Sequence, residues 1–299
     1  MGRIELPEDV LSWFRDVFAA CNKRVTRKVS LVPNAPEPSL DMTFVEHFTQ
    51  YGMPRVFGSG FTVRVDTHFL GGLRHFYGRW EIADIGLLVH FRRGGKLLRS
   101  KAAVLQSKRL YPEGISVKED VREDYEIGFA RLADPEDVRV PLSLETRFNF
   151  DFGCRYAELR TNDEQYKKLK AYVSQSKIPV CYQLYNPATL PFTRVVPLPS
   201  TDGEVKEIPF GVRVLPVADV FAVLDKKPKH YAPTVAELAG KPKSFDFGWR
   251  LEYFVADLLL KCKLGYAYKD IRDEQVYNLF NRRSGAISAA VAFSIEYPE

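Results

Sequence analysis

The chain has 299 residues, 45% apolar and 13% aromatic, a composition that suits a packed globular protein and excludes a disordered or fibrous one. Its 43 basic and 38 acidic residues leave a formal charge of +5, which permits a polyanionic partner without requiring one. Cys21, Cys154, Cys181 and Cys262 lack Cys-x-x-Cys spacing, which argues against a zinc ribbon or a disulfide framework, and no run approaches the roughly 20 apolar residues of a membrane span.

Met1 to Leu6 carry no signal-peptide core, so a soluble protein of the reducing cytoplasm is expected. Pro7 to Cys21 place Val10, Leu11, Phe14, Val17, Phe18 and Cys21 near one face of a first helix. The stretch Pro33-Asn-Ala-Pro-Glu-Pro-Ser39 reads as a linker. A second helix is expected over Asp41 to Tyr51, capped by Ser39 or Asp41 and carrying Glu46. Arg55 to Leu70 alternate as a strand, and another begins near Trp80 after Gly71-Gly72.

Next come two apolar runs that read as buried strands, Ile82 to Phe91 and Ala102 to Leu105. The first contains Asp84, and Gln106 and Lys108 follow the second. Buried strands seldom hold such side chains without a reason. Arg92-Arg93-Gly94-Gly95-Lys96 supplies the turn, and a hairpin centred on Gly95 sets Asp84 opposite Gln106. Arg92, Arg93, Lys96, Arg99, Lys101, Lys108 and Arg109 crowd this hairpin. They read as a bed for a phosphate backbone, and those from Arg92 to Lys101, taken alone, read equally as a solvated tip.

Tyr111 to Pro141 are charged and turn-rich, an insertion or lobe. Thr161-Asn-Asp-Glu164 is a capping-box pattern opening a helix to about Gln175, and Pro179 to Tyr185 follow as a strand, which suggests a crossover into the sheet. Beyond Asn186-Pro187 the chain turns Pro-rich. It then offers a helical face from Trp249 to Lys263 and a closing strand from Ala286 to Ile295. Residues 191–299 are therefore expected to form a C-terminal α+β extension to a core of residues 1–190.

A helix with Glu46, a strand with Asp84, a Gly turn, Gln106-Ser-Lys108 and a crossover helix together resemble the PD-(D/E)xK nuclease superfamily over about residues 41–186. The resemblance implies an α/β fold, a restriction-endonuclease-like core of a mixed central sheet flanked by helices. It implies a metal-dependent endonuclease acting on DNA, or on RNA, and an effector of a bacterial antiphage defence or restriction system. Magnesium would be the cofactor, with manganese able to substitute. Asp84, Glu46 and Gln106 would be its ligands, and Lys108 would orient water or stabilise charge. Arg92, Arg93, Lys96, Arg109 and Gln165 would touch nucleic acid.

Gln106 departs from the acid of the superfamily's paired motif and leaves the ion one anionic ligand short, although an amide oxygen still binds magnesium. Ala83 stands where the superfamily's name has Pro. Glu81, next to this site in sequence, faces away from Asp84 under strict alternation. The bland counterparts are an Asp84–Lys108 buried ion pair and a surface acid at Glu46. No His-Glu-x-x-His, Gly-x-Ser-x-Gly or Gly-x4-Gly-Lys-Ser/Thr pattern offers another chemistry. The rival function is a catalytically weak subunit of nuclease fold that binds nucleic acid or assembles with a partner protein of a defence system. A homodimer fits either function, and no membrane partner is expected.

Overall fold

The computed structural model describes residues 5–69, 83–114, 146–196, 209–240, 247–270, 272–280 and 287–299. Glu81 and most of the turn-rich stretch after Gly114 lie outside them. Mixed α/β architecture is what the chain adopts, with a central mixed sheet flanked by helices.

Helix α1 (Glu8–Leu31) runs ten residues past its expected end because Val25 and Val29 continue its buried stripe. Helix α2 (Glu37–Thr49) starts four residues earlier than expected. Pro36 takes the N-cap position in an extended conformation and Pro38 sits in the first turn, where a proline's missing N–H costs nothing. The supposed linker is thus the start of a helix, and it brings Glu37 into it.

Strands β1 (Arg55–Val56), β2 (Thr62–Phe69), β3 (Ala83–Arg93) and β4 (Lys96–Arg109) follow. In the β3–β4 hairpin, Ile85 faces Leu105 and Phe91 faces Arg99, the register expected from the sequence. A bulge between Phe91 and Arg92 then shifts it, so that Arg93 faces Lys96 across Gly94 and Gly95. Both glycines have positive φ, 55° and 73°, as a two-residue hairpin turn of matching twist requires.

Strand β5 (Thr146–Phe150) pairs with β7 (Phe192–Val196) in a small separate sheet. Between them, α3 (Glu164–Gln175) leads to β6 (Val180–Tyr185), which lies parallel to β4 as the crossover reading expects. Asp163, rather than Thr161, caps α3, accepting from the Gln165 N–H, while the Thr161 hydroxyl donates to the Pro228 carbonyl.

The C-terminal residues join the same sheet rather than extending a finished core. After β8 (Arg213–Pro216), α4 (Val217–Leu224) and α5 (Val235–Ala239) come β9 (Trp249–Arg250), then α6 (Leu251–Tyr253) running into a π-helical stretch (Phe254–Leu260), β10 (Tyr266–Tyr268), α7 (Glu274–Phe280) and β11 (Ile287–Tyr297). The sheet order is β1-β2-β11-β3-β4-β6-β8-β9, with β10 also on β4. Strand β11 lies antiparallel to β2 and parallel to β3, and so separates two strands that follow one another in sequence. Ile287, Ala289, Val291, Phe293 and Ile295 are buried, as a central strand demands.

One apolar cluster fills the face under α1, α2 and α6, and a second fills the face under α3, α4 and α7. Leu105 belongs to the first and Val104 to the second, so Ser107 projects toward α2 while Gln106 and Lys108 project the other way.

Candidate functional site

The polar residues of the two buried strands meet at the end of the sheet where β3 begins and β4 and β6 finish. Gln106 Nε2 donates to Asp84 Oδ2, and the Ser107 N–H donates to the same oxygen at 2.7 Å. Asp84 is 8% exposed and Gln106 1%. With its Nε2 committed to the carboxylate, Gln106 Oε1 is buried and has no hydrogen-bond partner among the described residues. A buried acceptor left in that state costs about 1–3 kcal/mol, a cost that a water or an ion at this oxygen would offset.

Lys108 points from the same strand face. Its ammonium donates to Glu37 Oε2 at 3.0 Å, while Glu37 Oε1 accepts the Arg109 N–H at 3.0 Å. Burial alone would pull the lysine down, but Glu37, Asp84 and Glu158 outweigh it and hold Lys108 above its ordinary range. Burial pushes the Glu37 carboxyl up, against the pull of Lys108, and the Glu158 carboxyl in hydrogen-bond contact raises it further. Three carboxyl groups therefore crowd one ammonium.

On the opposite face of β4, the Ser107 hydroxyl donates to Asp41 Oδ1 at 2.5 Å and the Tyr185 hydroxyl donates to the same oxygen at 2.6 Å. Gln183 Nε2 donates to the Tyr185 oxygen. Helix α2 thus reaches β4 from both sides, with Glu37 on Lys108 and Asp41 on Ser107, one turn apart on a single helix face.

Glu46 lies elsewhere. Nine residues separate it from Glu37, about half a turn around the helix at 100° per residue, and its half-exposed carboxylate stands 3.7 Å from Arg24. The structure brings Asp84, Gln106 and Lys108 together and puts Glu37, not Glu46, beside them. Glu158, from the loop after β5, carries no sequence signal of its own; only the fold delivers it.

The proposed nucleic-acid contacts are also redistributed. Arg109 is 2% exposed, donating to the Ala35 carbonyl with its guanidinium over the Tyr111 ring, so it is a buried strut. Lys101 is likewise buried and caps the Leu259 and Leu264 carbonyls. Arg92, Arg93 and Lys96 sit at the hairpin tip, roughly 30 Å along β3 from Asp84 at about 3.3 Å per residue, too far to hold a phosphate at that carboxylate. Gln165 lies half-buried in the first turn of α3, and its backbone serves the Asp163 cap.

No protein-family profile, curated protein or solved structure matches the chain.

A divalent ion is the group the resemblance implies. Among the described residues no three His, Cys, Asp or Glu side chains gather closely enough to hold a metal. The donors at hand are one carboxylate, Asp84, and the Gln106 oxygen beside it, while both Glu37 oxygens are taken up by Lys108 and the Arg109 N–H. That set is poor for zinc or calcium. It suits magnesium, which keeps several waters and needs only one or two carboxylates.

Proposed function

We propose that the chain is a magnesium-dependent nuclease that hydrolyses phosphodiester bonds of DNA at the Asp84–Gln106–Lys108–Glu37 cluster. The observation that carries this reading is the buried oxygen of Gln106, without a partner among the described residues, fixed beside the Asp84 carboxylate and two residues along the strand from a lysine kept cationic.

Asp84 and Gln106 Oε1 are the residues that would hold the ion. Bound magnesium would make a water more acidic and offset charge on the phosphoryl oxygens. Hydrolysis joins the water oxygen to phosphorus and breaks the bond to the leaving oxygen, which takes up a proton. Lys108, protonated and surrounded by acids, serves as a fixed cation for the charge that builds on the phosphoryl group, not as the base. Glu37 aims the Lys108 ammonium and ties the end of β4 to α2. The role of effector in a bacterial defence or restriction system comes from the resemblance of the Asp84 and Gln106-Ser-Lys108-Arg109 pattern.

The second reading, a nuclease-fold subunit that binds nucleic acid or a partner without efficient cleavage, draws on the small number of acids able to meet one ion. The test is cleavage of plasmid DNA, single-stranded DNA and RNA with magnesium, manganese or EDTA. Metal-dependent cutting by wild type that disappears in Asp84→Ala and Lys108→Ala is expected. Cutting that survives Asp84→Ala sinks the assignment, and no cutting by wild type favours the second reading.

A further inference from the structure

The Asp84 carboxylate is held from β4, by the Gln106 amide and the Ser107 peptide N–H. What holds that peptide in place is on the other side of the strand. Ser107 and Tyr185 are fully buried, and both hydroxyls end on one oxygen of Asp41, at 2.5 and 2.6 Å. Gln183 Nε2 occupies the Tyr185 oxygen at 2.5 Å, so the tyrosine's own hydrogen is directed to Asp41. Three elements, α2, β4 and β6, are thereby joined at the residue whose N–H binds Asp84.

We propose that Asp41, Ser107 and Tyr185 form a positioning unit for Asp84, acting through the Ser107 peptide. Its consequence for catalysis rests on the nuclease reading above; its consequence for the peptide does not. Ser107 presents its backbone to the carboxylate and its side chain to Asp41, so a strand rotation that loses one contact misaligns the other. Asp41 and Tyr185 touch neither Asp84 nor the Gln106 oxygen in the described hydrogen bonds, and they are positioning residues in this sense.

Two measurements on the full chain test this. Residue-resolved hydrogen exchange should show the Ser107 amide protected in wild type and exchanging at least about 10-fold faster in Asp41→Ala, with the Leu105 amide on the same strand unchanged. In the cleavage assay, Asp41→Ala should raise the half-activating magnesium concentration and lower kcat by about 10- to 100-fold in combination, the range typical for residues that orient a metal ligand, while KM for nucleic acid stays put. Asp41→Asn, which keeps an acceptor oxygen, should recover most of both. Tyr185→Phe should move both in the same direction by less, and it serves if Asp41→Ala does not fold.

Wild-type exchange at Ser107 in these variants overturns the inference, as does a uniform rise along β4 that takes Leu105 with it, the mark of a merely structural contact. A wild type that cuts nothing brings down the nuclease reading alone, because the exchange result still decides whether Asp41 fixes the Ser107 peptide.

Discussion

At the scale of single residues, Glu37 and Glu46, two of the three acids of α2, have different surroundings. Glu37 contacts the Lys108 ammonium and the Arg109 N–H, whereas Glu46 meets only Arg24 among the ion pairs of the described residues. Glu37→Ala should therefore lower cleavage by about 10- to 100-fold, and Glu46→Ala should leave it at the wild-type rate. Steady-state cleavage kinetics of the two variants check this. Gln106 offers a sharper probe. Gln106→Glu replaces the donor to Asp84 with a second carboxylate, so the metal-free protein gains a like-charge contact. Thermal melts should show the variant less stable than wild type in EDTA and more strongly stabilised by magnesium. Equal magnesium shifts in the two proteins would remove the Gln106 oxygen from the ligand set.

At the scale of elements, the β3–β4 hairpin was the most legible part of the chain. Its Gly94-Gly95 turn and flanking apolar runs determine the register from Ile85 to Phe91, and with it the meeting of Asp84 and Gln106. The start of α2 was legible in principle, because Pro38 in a first turn is a helix signal, but three prolines in seven residues read more readily as a linker. With the helix start set at Asp41, Glu37 falls outside the helix, and Glu46 takes the place of the first-helix acid that the resemblance implies. The insertion of β11 between β2 and β3 could not be read locally, since apolar alternation marks a strand as buried without naming its neighbours. Strand β3 also depends on Gly86, where an added Cβ would stand 2.3 Å from the Phe280 ring of α7. Gly86→Ala should destabilise the fold by roughly 1–3 kcal/mol, as overpacking does, and chemical denaturation measures it.

At the scale of the whole molecule, the acids that gather at the end of the sheet make stability depend on pH. Burial pushes the Asp41 carboxyl up to about 7, even with Ser107 and Tyr185 donating to it, and Glu37 is raised for the same reason. An unfolded aspartate titrates near about 3.9. Between that value and about 7 the folded chain binds more protons than the unfolded one, so this group's contribution falls as pH rises through that window. The melting temperature should accordingly decline from about pH 5 to about pH 8, and Asp41→Asn, which cannot ionise there, should flatten the decline. Magnesium should counter the loss at the upper end, because a cation among ionised carboxylates offsets their mutual repulsion. The C-terminal strand belongs to the same cooperative structure, lying between β2 and β3 and pairing with both.

Whether the Asp84 cluster hydrolyses phosphodiesters with a divalent ion is decided by a single cleavage assay. It compares wild type, Asp84→Ala, Glu37→Ala and Glu46→Ala on DNA with magnesium or EDTA. Cutting by wild type and Glu46→Ala that requires magnesium and is lost in Asp84→Ala and reduced in Glu37→Ala is the predicted result. Cutting that persists in Asp84→Ala, or that proceeds in EDTA, would contradict it.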